Sequence, residues 1–128
     1  MSLEWKDGYK IGHDEIDAQH QQLFKLVNTV LAAKDKTTLT ACAMALFKYT
    51  REHFAHEEAL MQRLDYPAMA AHKAQHESLI SRLNEVSARI ANGTLDHQVL
   101  EVFLTDWLLN HIANSDIKLA TYIQATVE

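Results

Sequence analysis

The sequence predicts an all-α protein, folded as an up-down-up-down four-helix bundle with an N-terminal arm and a short C-terminal helix. Helix breakers are scarce, since the 128 residues include 3 glycines and 1 proline, and this favours long helices over short strands and turns. Apolar residues make up 48% of the chain, enough for one hydrophobic core. They recur every three or four residues along four successive stretches, the period of an amphipathic helix. A less regular all-α fold with the same apolar stripes is the alternative.

The elements follow one another without repeats or linkers, so we expect a single domain over residues 1–128. Trp5 and Tyr9 lie in a segment without helical period, which predicts an arm over residues 1–15 that packs against the bundle. Asp14 or Asp17 is expected to cap the first helix. The predicted helices span about 16–34, 38–65, 68–91 and 95–113, and a helical tail follows at 115–127.

Capping and breaking residues set the expected boundaries of these helices. Thr37 is expected to cap the second helix. Asp65-Tyr66-Pro67 should end it, because the residue before a proline is disfavoured in the α region, and Pro67 suits the first turn of the third helix. Asn92-Gly93 is a stop signal for the third helix, and Thr94 or Asp96 is expected to open the fourth.

The composition excludes several classes of partner and compartment. The net charge is -5 and lysine and arginine do not cluster, which argues against nucleic acid and against anionic membranes as partners. There is no apolar run long enough to span a membrane. The N-terminal stretch lacks the apolar segment of a secretory signal, so no such signal is expected. Cys42 is the only cysteine, so the chain cannot form an internal disulfide and a cytoplasmic location is expected.

Polar residues occupy the middle of otherwise apolar stripes, and this is the main functional signal. One buried histidine is commonly a hydrogen-bonded core residue, but burying several of them with a glutamate is costly unless something compensates. A bound metal does so. In an up-down bundle, these positions also fall at one end of the bundle. The residues are His20, His53, Glu57, His72, His76 and His111.

Spacing supports a metal site. His53 and Glu57 are four residues apart, as are His72 and His76, so each pair shares one helix face. Asp116 lies five residues after His111, about 140° round an ideal helix. To face the same site, Asp116 requires a π-bulge or a break between these two residues.

The number of ligands indicates two metal ions rather than one. Five imidazoles and two carboxylates exceed the needs of one first-row ion but suit two ions bridged by Glu57 and Asp116. The histidines then divide three and two, which leaves one position closed and the other open to a small ligand. Mixed nitrogen and oxygen ligands favour iron or manganese over structural zinc. His72, His76 and His111 are expected at the closed position, and His20 and His53 at the open one.

Four segments carry a family resemblance: IDAQHQQLF, HFAHEEALM, YPAMAAHKAQH and WLLNHIANSD. Together they resemble the hemerythrin family, and within it the single-domain bacterial members, over nearly the whole chain. The resemblance implies a non-haem di-iron centre with an oxo or hydroxo bridge, and O₂ as a reversible ligand of the iron held by His20 and His53. Trp107 and Leu108 match positions that line the O₂ pocket of that family.

We therefore expect an oxygen-binding protein for storage, transport or delivery, and not an enzyme. A histidine-rich ligand set carries less negative charge than the carboxylate-rich set of di-iron oxygenases, which disfavours the high-valent iron needed to cleave O–O. The alternatives are an oxygen or redox sensor that signals through a separate partner, and a di-iron enzyme acting on peroxide or nitric oxide. Besides dioxygen, the expected partner is an unidentified oxygen-accepting or signalling protein, and the chain is expected to be a monomer.

Other polar residues near these segments receive no ligand role. His13 and His97 are expected to face solvent, and His56 is expected to be partly exposed or to lie beside the ligands. Glu58 follows Glu57 by about 100° round the helix and is expected to point outward. Each ligating imidazole also needs a partner for its second nitrogen, which the sequence does not identify.

Overall fold

The computed structural model describes residues 4–10, 13–94, 96–110 and 116–127, and within these ranges the chain is helical without strands. A 3₁₀ turn at Asp7–Tyr9 precedes the helices. The all-α prediction is therefore confirmed. The helices are α1 (Asp14–Ala32), α2 (Lys36–Arg63), α3 (Met69–Asn92), α4 (His97–Asn110) and α5 (Ile117–Val127). The expected last turn of α4, up to residue 113, lies outside the described ranges.

The first four helices form a closed bundle. α1 packs against both α2 and α4, and α2 packs against α3. α3 and α4 are joined by the Trp107 indole, which donates to the carbonyl of Leu79 at 3.3 Å, and by the Arg82 guanidinium, which lies 4.7 Å from the ring centroid of Phe103. Because the connections between successive helices are short, neighbours run antiparallel. This is the predicted up-down-up-down arrangement.

Two apolar clusters divide the core along the helices. The larger one includes Leu23 and Phe54, and the smaller one, which includes Ile16 and Met61, packs beneath α5. On α1 and α3, buried histidines fall in sequence between residues of the two clusters. His20, for example, follows Ile16 and precedes Leu23. The site therefore lies between the main core and the cover that α5 provides.

The N-terminal arm packs on the side of α1. Trp5 meets Phe24 edge to face, with ring centroids 5.3 Å apart, and Tyr9 lies 5.5 Å from the same ring. At the other terminus, the Tyr122 hydroxyl donates to the carbonyl of Leu64 at 3.0 Å. The described segments before α1 and in α5 are thus anchored to the bundle.

The helix caps differ from those expected. His13 precedes α1, and its Nδ1 accepts a hydrogen bond from the Ile16 amide at 3.2 Å, so the expectation of an aspartate cap was wrong. His13 is partly exposed. Asp35, and not Thr37, caps α2 by accepting from the Thr38 amide at 2.7 Å. These hydrogen bonds to Thr38 lower the pKa of Asp35.

The end of α3 was predicted correctly, but its start was not. α3 begins at Met69, so Pro67 lies in the connecting turn and not in the first turn of the helix. Gly93 ends α3 in the left-handed region, with φ of 74°, as the Asn92-Gly93 signal predicted. Asp96 accepts from the Gln98 amide at 2.8 Å, which is the expected cap of α4.

The end of the bundle opposite the polar site is closed by side chains that bind exposed carbonyl groups. His97 Nε2 donates to the carbonyl of Leu31 at 2.7 Å, and Lys36 Nζ donates to the carbonyl of Ala91 at 3.0 Å. Exposed His97 therefore belongs to the far end, as expected. None of the helices, within the described residues, has the length and apolar character required to cross a membrane.

Candidate metal centre

Six of the seven predicted ligands come together in one buried cluster. α1, α2 and α3 contribute the histidines and Glu57, and the turn before α5 contributes Asp116. The four histidines and Glu57 lie in line with the apolar stripes of their helices, which is why folding buries them. Their exposed fractions are 0% for His20, 1% for His53, 0% for Glu57, 4% for His72, 2% for His76 and 0% for Asp116.

Asp116 faces the cluster from a position just before α5. Asp116 itself is π-helical and fully buried, but residues 111–115, where the irregularity was predicted, lie outside the described ranges. A π-helical turn widens the helix, which changes the direction in which a side chain points. His111, the seventh predicted ligand, lies outside the described residues, so its place in the cluster stays a prediction.

One half of the cluster joins α1 and α2. His20 Nε2 lies 2.5 Å from Asp116 Oδ2. His53 Nε2 lies 3.5 Å from Glu57 Oε1 and 3.8 Å from Asp116 Oδ2. One ligand atom from each of these four residues falls within 4.8 Å of the others, so a single ion can be reached by all four.

The other half of the cluster lies on α3. His76 Nε2 is 3.1 Å from Glu57 Oε1, and His72 Nε2 is 3.3 Å from Asp116 Oδ1 and 3.8 Å from Glu57 Oε1. These four residues also offer ligand atoms within 4.8 Å of one another. The two halves therefore share both carboxylates and differ in their histidines.

This geometry fits a pair of metal ions. Ligand atoms about 2.1 Å from one ion are separated by about 3 Å when adjacent and about 4.2 Å when opposite, and the spacings above fall near that range. All four histidines turn Nε2 toward the carboxylates. The predicted division of histidines, His20 with His53 and His72 with His76, matches the two halves of the cluster.

The electrostatics of the cluster also favour cations. Burial, followed by the negative charge of Asp116, raises the pKa of Glu57 well above its ordinary value. The raised pKa reflects the cost of burying two carboxylates close together with no cation between them. A divalent cation between them would stabilise both charges.

The outer nitrogens of two histidines have partners that sequence reasoning missed. His53 Nδ1 donates to Gln19 Oε1 at 2.6 Å, and His76 Nδ1 donates to Glu58 Oε2 at 3.1 Å. The outward orientation expected for Glu58 was therefore wrong, and its side chain is only 29% exposed. The one available signal was adjacency, because Gln19 precedes His20 and Glu58 follows Glu57 in the chain.

Aromatic side chains surround the histidine rings. Phe54 stacks on His76 with ring centroids 3.8 Å apart, and Tyr66 approaches His72 edge-on at 6.3 Å. Trp107 and Leu108 are both fully buried in the main core, but their role in lining an O₂ pocket stays a prediction. His56 is partly exposed, with Nε2 3.4 Å from Glu15 Oε1.

Comparisons with known proteins agree with this centre. Residues 11–123 match the model of the hemerythrin HHE cation binding domain. The chain is 36% identical to the bacteriohemerythrin of Stenotrophomonas maltophilia, over 96% of this chain and 82% of that protein. It is 30% identical to the myohemerythrin of Riftia pachyptila, over 89% and 88% of the two chains.

The solved structures lead to the same family. A wild-type hemerythrin structure superposes with a TM-score of 0.83 and 27% identity, over 93% of this chain and 95% of that one. Fold, sequence and the clustered histidines and carboxylates thus agree. This chain belongs to the hemerythrin family.

Proposed function

We propose that this protein binds dioxygen reversibly at a di-iron centre and serves as an oxygen carrier or store. The observation that carries the proposal is that two histidine sets share Glu57 and Asp116. A shared pair of carboxylates holds two ions close together. Two ferrous ions held there would supply one electron each, which is the chemistry that reversible O₂ binding requires.

The distances support a division of the ligands between two positions. His20 and His53 would hold one iron, and His72 and His76, joined by His111, would hold the other. Glu57 and Asp116 would bridge them, because each carboxylate lies near histidines of both sets. The position of His20 and His53 has fewer histidines and is the one that would accept O₂.

The surrounding residues favour binding over turnover. His20 and His53 are almost completely buried, so a diatomic ligand can be accommodated more easily than a bulky substrate. Phe54 lies beside His53, with ring centroids 5.8 Å apart, and it presents an apolar surface to the site. Apolar neighbours exclude water and proton donors, which slows the loss of reduced oxygen from the site. These features support a role as a carrier and not as an enzyme.

The oligomeric state and the cellular compartment of the protein are also proposed. The described ligands all come from one chain, so a monomer contains the site. Cys42 forms no disulfide, which agrees with a reducing cytoplasm. Light scattering coupled to size exclusion would give one chain mass for a monomer and at least twice that mass otherwise.

Optical spectroscopy tests the proposed function. Iron-loaded protein is reduced, exposed to air and then purged with argon, and its visible spectrum is followed through several cycles. We expect a ligand-to-iron charge-transfer band that appears with air and disappears with argon. A single irreversible change, accompanied by release of peroxide, would contradict reversible binding.

A further inference from the structure

The two halves of the metal centre differ in what supports their histidines. His53, in the half shared with His20, donates its Nδ1–H to the neutral amide of Gln19 at 2.6 Å. His76, in the half shared with His72, donates to the carboxylate of Glu58 at 3.1 Å. In one half, a histidine Nδ1–H is bonded to an amide oxygen, and in the other half it is bonded to a carboxylate oxygen.

This difference changes how strongly each ring binds a cation. A carboxylate accepts a stronger hydrogen bond than an amide does, and a stronger bond at Nδ1 makes Nε2 a better electron-pair donor to a metal. Glu58 also adds a negative charge on the side of His76. Since its side chain is only 29% exposed, water screens that charge less than it would screen a surface carboxylate.

Among the described residues, the charged groups that contact Glu58 or lie between the two halves do not cancel the difference. Glu57 and Asp116 serve both halves and so cannot favour either strongly. Lys73 Nζ approaches Glu58 at 3.9 Å, but it is 46% exposed, and such pairs contribute little. Gln19 has no formal charge to offer His53.

We propose that Gln19 and Glu58 are positioning residues that make the two metal positions unequal, with Glu58 causing the His72 and His76 position to bind the first divalent ion and to retain it more tightly. The inference rests on the proposed function only in requiring two metal positions. It does not require that they bind O₂. Its consequence is that the His20 and His53 position, the one proposed to accept O₂, is the last to bind a metal ion and the first to lose it.

The test is a Zn²⁺ titration of metal-free protein carrying ¹⁵N-labelled histidines. Zn²⁺ is diamagnetic, so ring nitrogen shifts report which histidines are ligated at each step. In the wild type, we expect His72 and His76 to shift in the first step and His20 and His53 in the second. Glu58→Gln should weaken the first step about 10- to 100-fold. Gln19→Glu should strengthen the second step, and the double exchange should reverse the order.

A matched control separates the hydrogen bond from general charge. Glu77 is an exposed carboxylate next to His76 in the chain, and it lines the same surface groove as Glu58. Glu77→Gln should leave both steps unchanged. His111 is the same in every variant, so differences between variants do not depend on it.

Three outcomes would overturn the proposal: an unchanged first step in Glu58→Gln, equal weakening of both steps in that variant, or equal effects of Glu58→Gln and Glu77→Gln. Circular dichroism checks that each variant is folded, and Gln19→Glu provides an independent change in the opposite direction. Because Zn²⁺ does not bind O₂, this result and the oxygenation result can fail separately.

Discussion

The ring of Phe54 lies flat on the ring of His76, with centroids 3.8 Å apart and planes inclined by 4°. The contact covers one face of a predicted ligand and fixes its plane. Phe54→Leu keeps an apolar side chain but removes the stack, so water should reach the site more easily. We expect the oxygenated form of this variant to decay several-fold faster than wild type, measured as loss of its visible absorption in air. Equal decay rates would show that the stack does not protect the site.

Glu57 gives a prediction about pH. Its pKa is raised by burial and by Asp116, so the folded metal-free protein binds this proton more tightly than the unfolded chain does. The resulting stabilisation is complete below the ordinary glutamate pKa and is lost as pH rises through the raised value. The melting temperature of metal-free wild type should therefore fall, relative to Glu57→Gln, as pH increases from 5 to 9.

The same substitution should abolish metal binding, since a neutral amide replaces a shared anionic ligand. Glu77→Gln, at an exposed position, serves as the control and should keep the pH dependence of wild type. If the melting temperatures of Glu57→Gln and wild type change in parallel between pH 5 and 9, the Glu57 carboxyl group does not cause the pH dependence.

His53 and His97 test the position of the metal centre within the bundle. His53 lies in the ligand cluster, whereas His97 binds the Leu31 carbonyl at the opposite end. His53→Ala should lose most of the bound iron. His97→Ala should keep its iron and lose about 1 kcal/mol of stability with its hydrogen bond. Iron analysis with denaturant unfolding checks both, and comparable iron loss in the two variants would argue against this location.

Gly93 provides a prediction about the fold alone. Its φ is 74°, and a Cβ added there would meet nothing within 4 Å, so Gly93→Ala suffers only backbone strain. We expect a loss of about 1 kcal/mol in the free energy of unfolding, measured by urea denaturation, with unchanged iron content. Glu85→Ala, at an exposed position within α3, is the control. A stability equal to wild type would show that the left-handed conformation is not required.

Much of the centre was predictable because helical period determines which residues share a buried face. His53 with Glu57 and His72 with His76 follow from this rule alone. The irregularity expected between His111 and Asp116, because their spacing does not fit a regular helix facing one site, stays a prediction, since residues 111–115 lie outside the described ranges. Ligands of one site must share a buried helix face and a level along the bundle, and few polar residues of the sequence meet both conditions.

The contacts between helices were harder to predict. Whether Glu58 reaches His76 depends on the rotation of α2 relative to α3, and a hydrophobic stripe fixes that rotation too coarsely to place one carboxylate oxygen. The predictions of the helix caps failed for a local reason. Several residues near the start of a helix can accept a hydrogen bond from the same backbone amide. Asp35 and Thr37 compete in this way, and His13 is not among the usual caps.

Anomalous X-ray scattering at the iron edge, from crystals of iron-loaded protein, tests the central claim most directly. Two iron peaks about 3–4 Å apart are predicted, one beside His20 and His53 and the other beside His72 and His76, with Glu57 and Asp116 between them. A single peak, or iron bound away from these side chains, would contradict a di-iron centre in this protein.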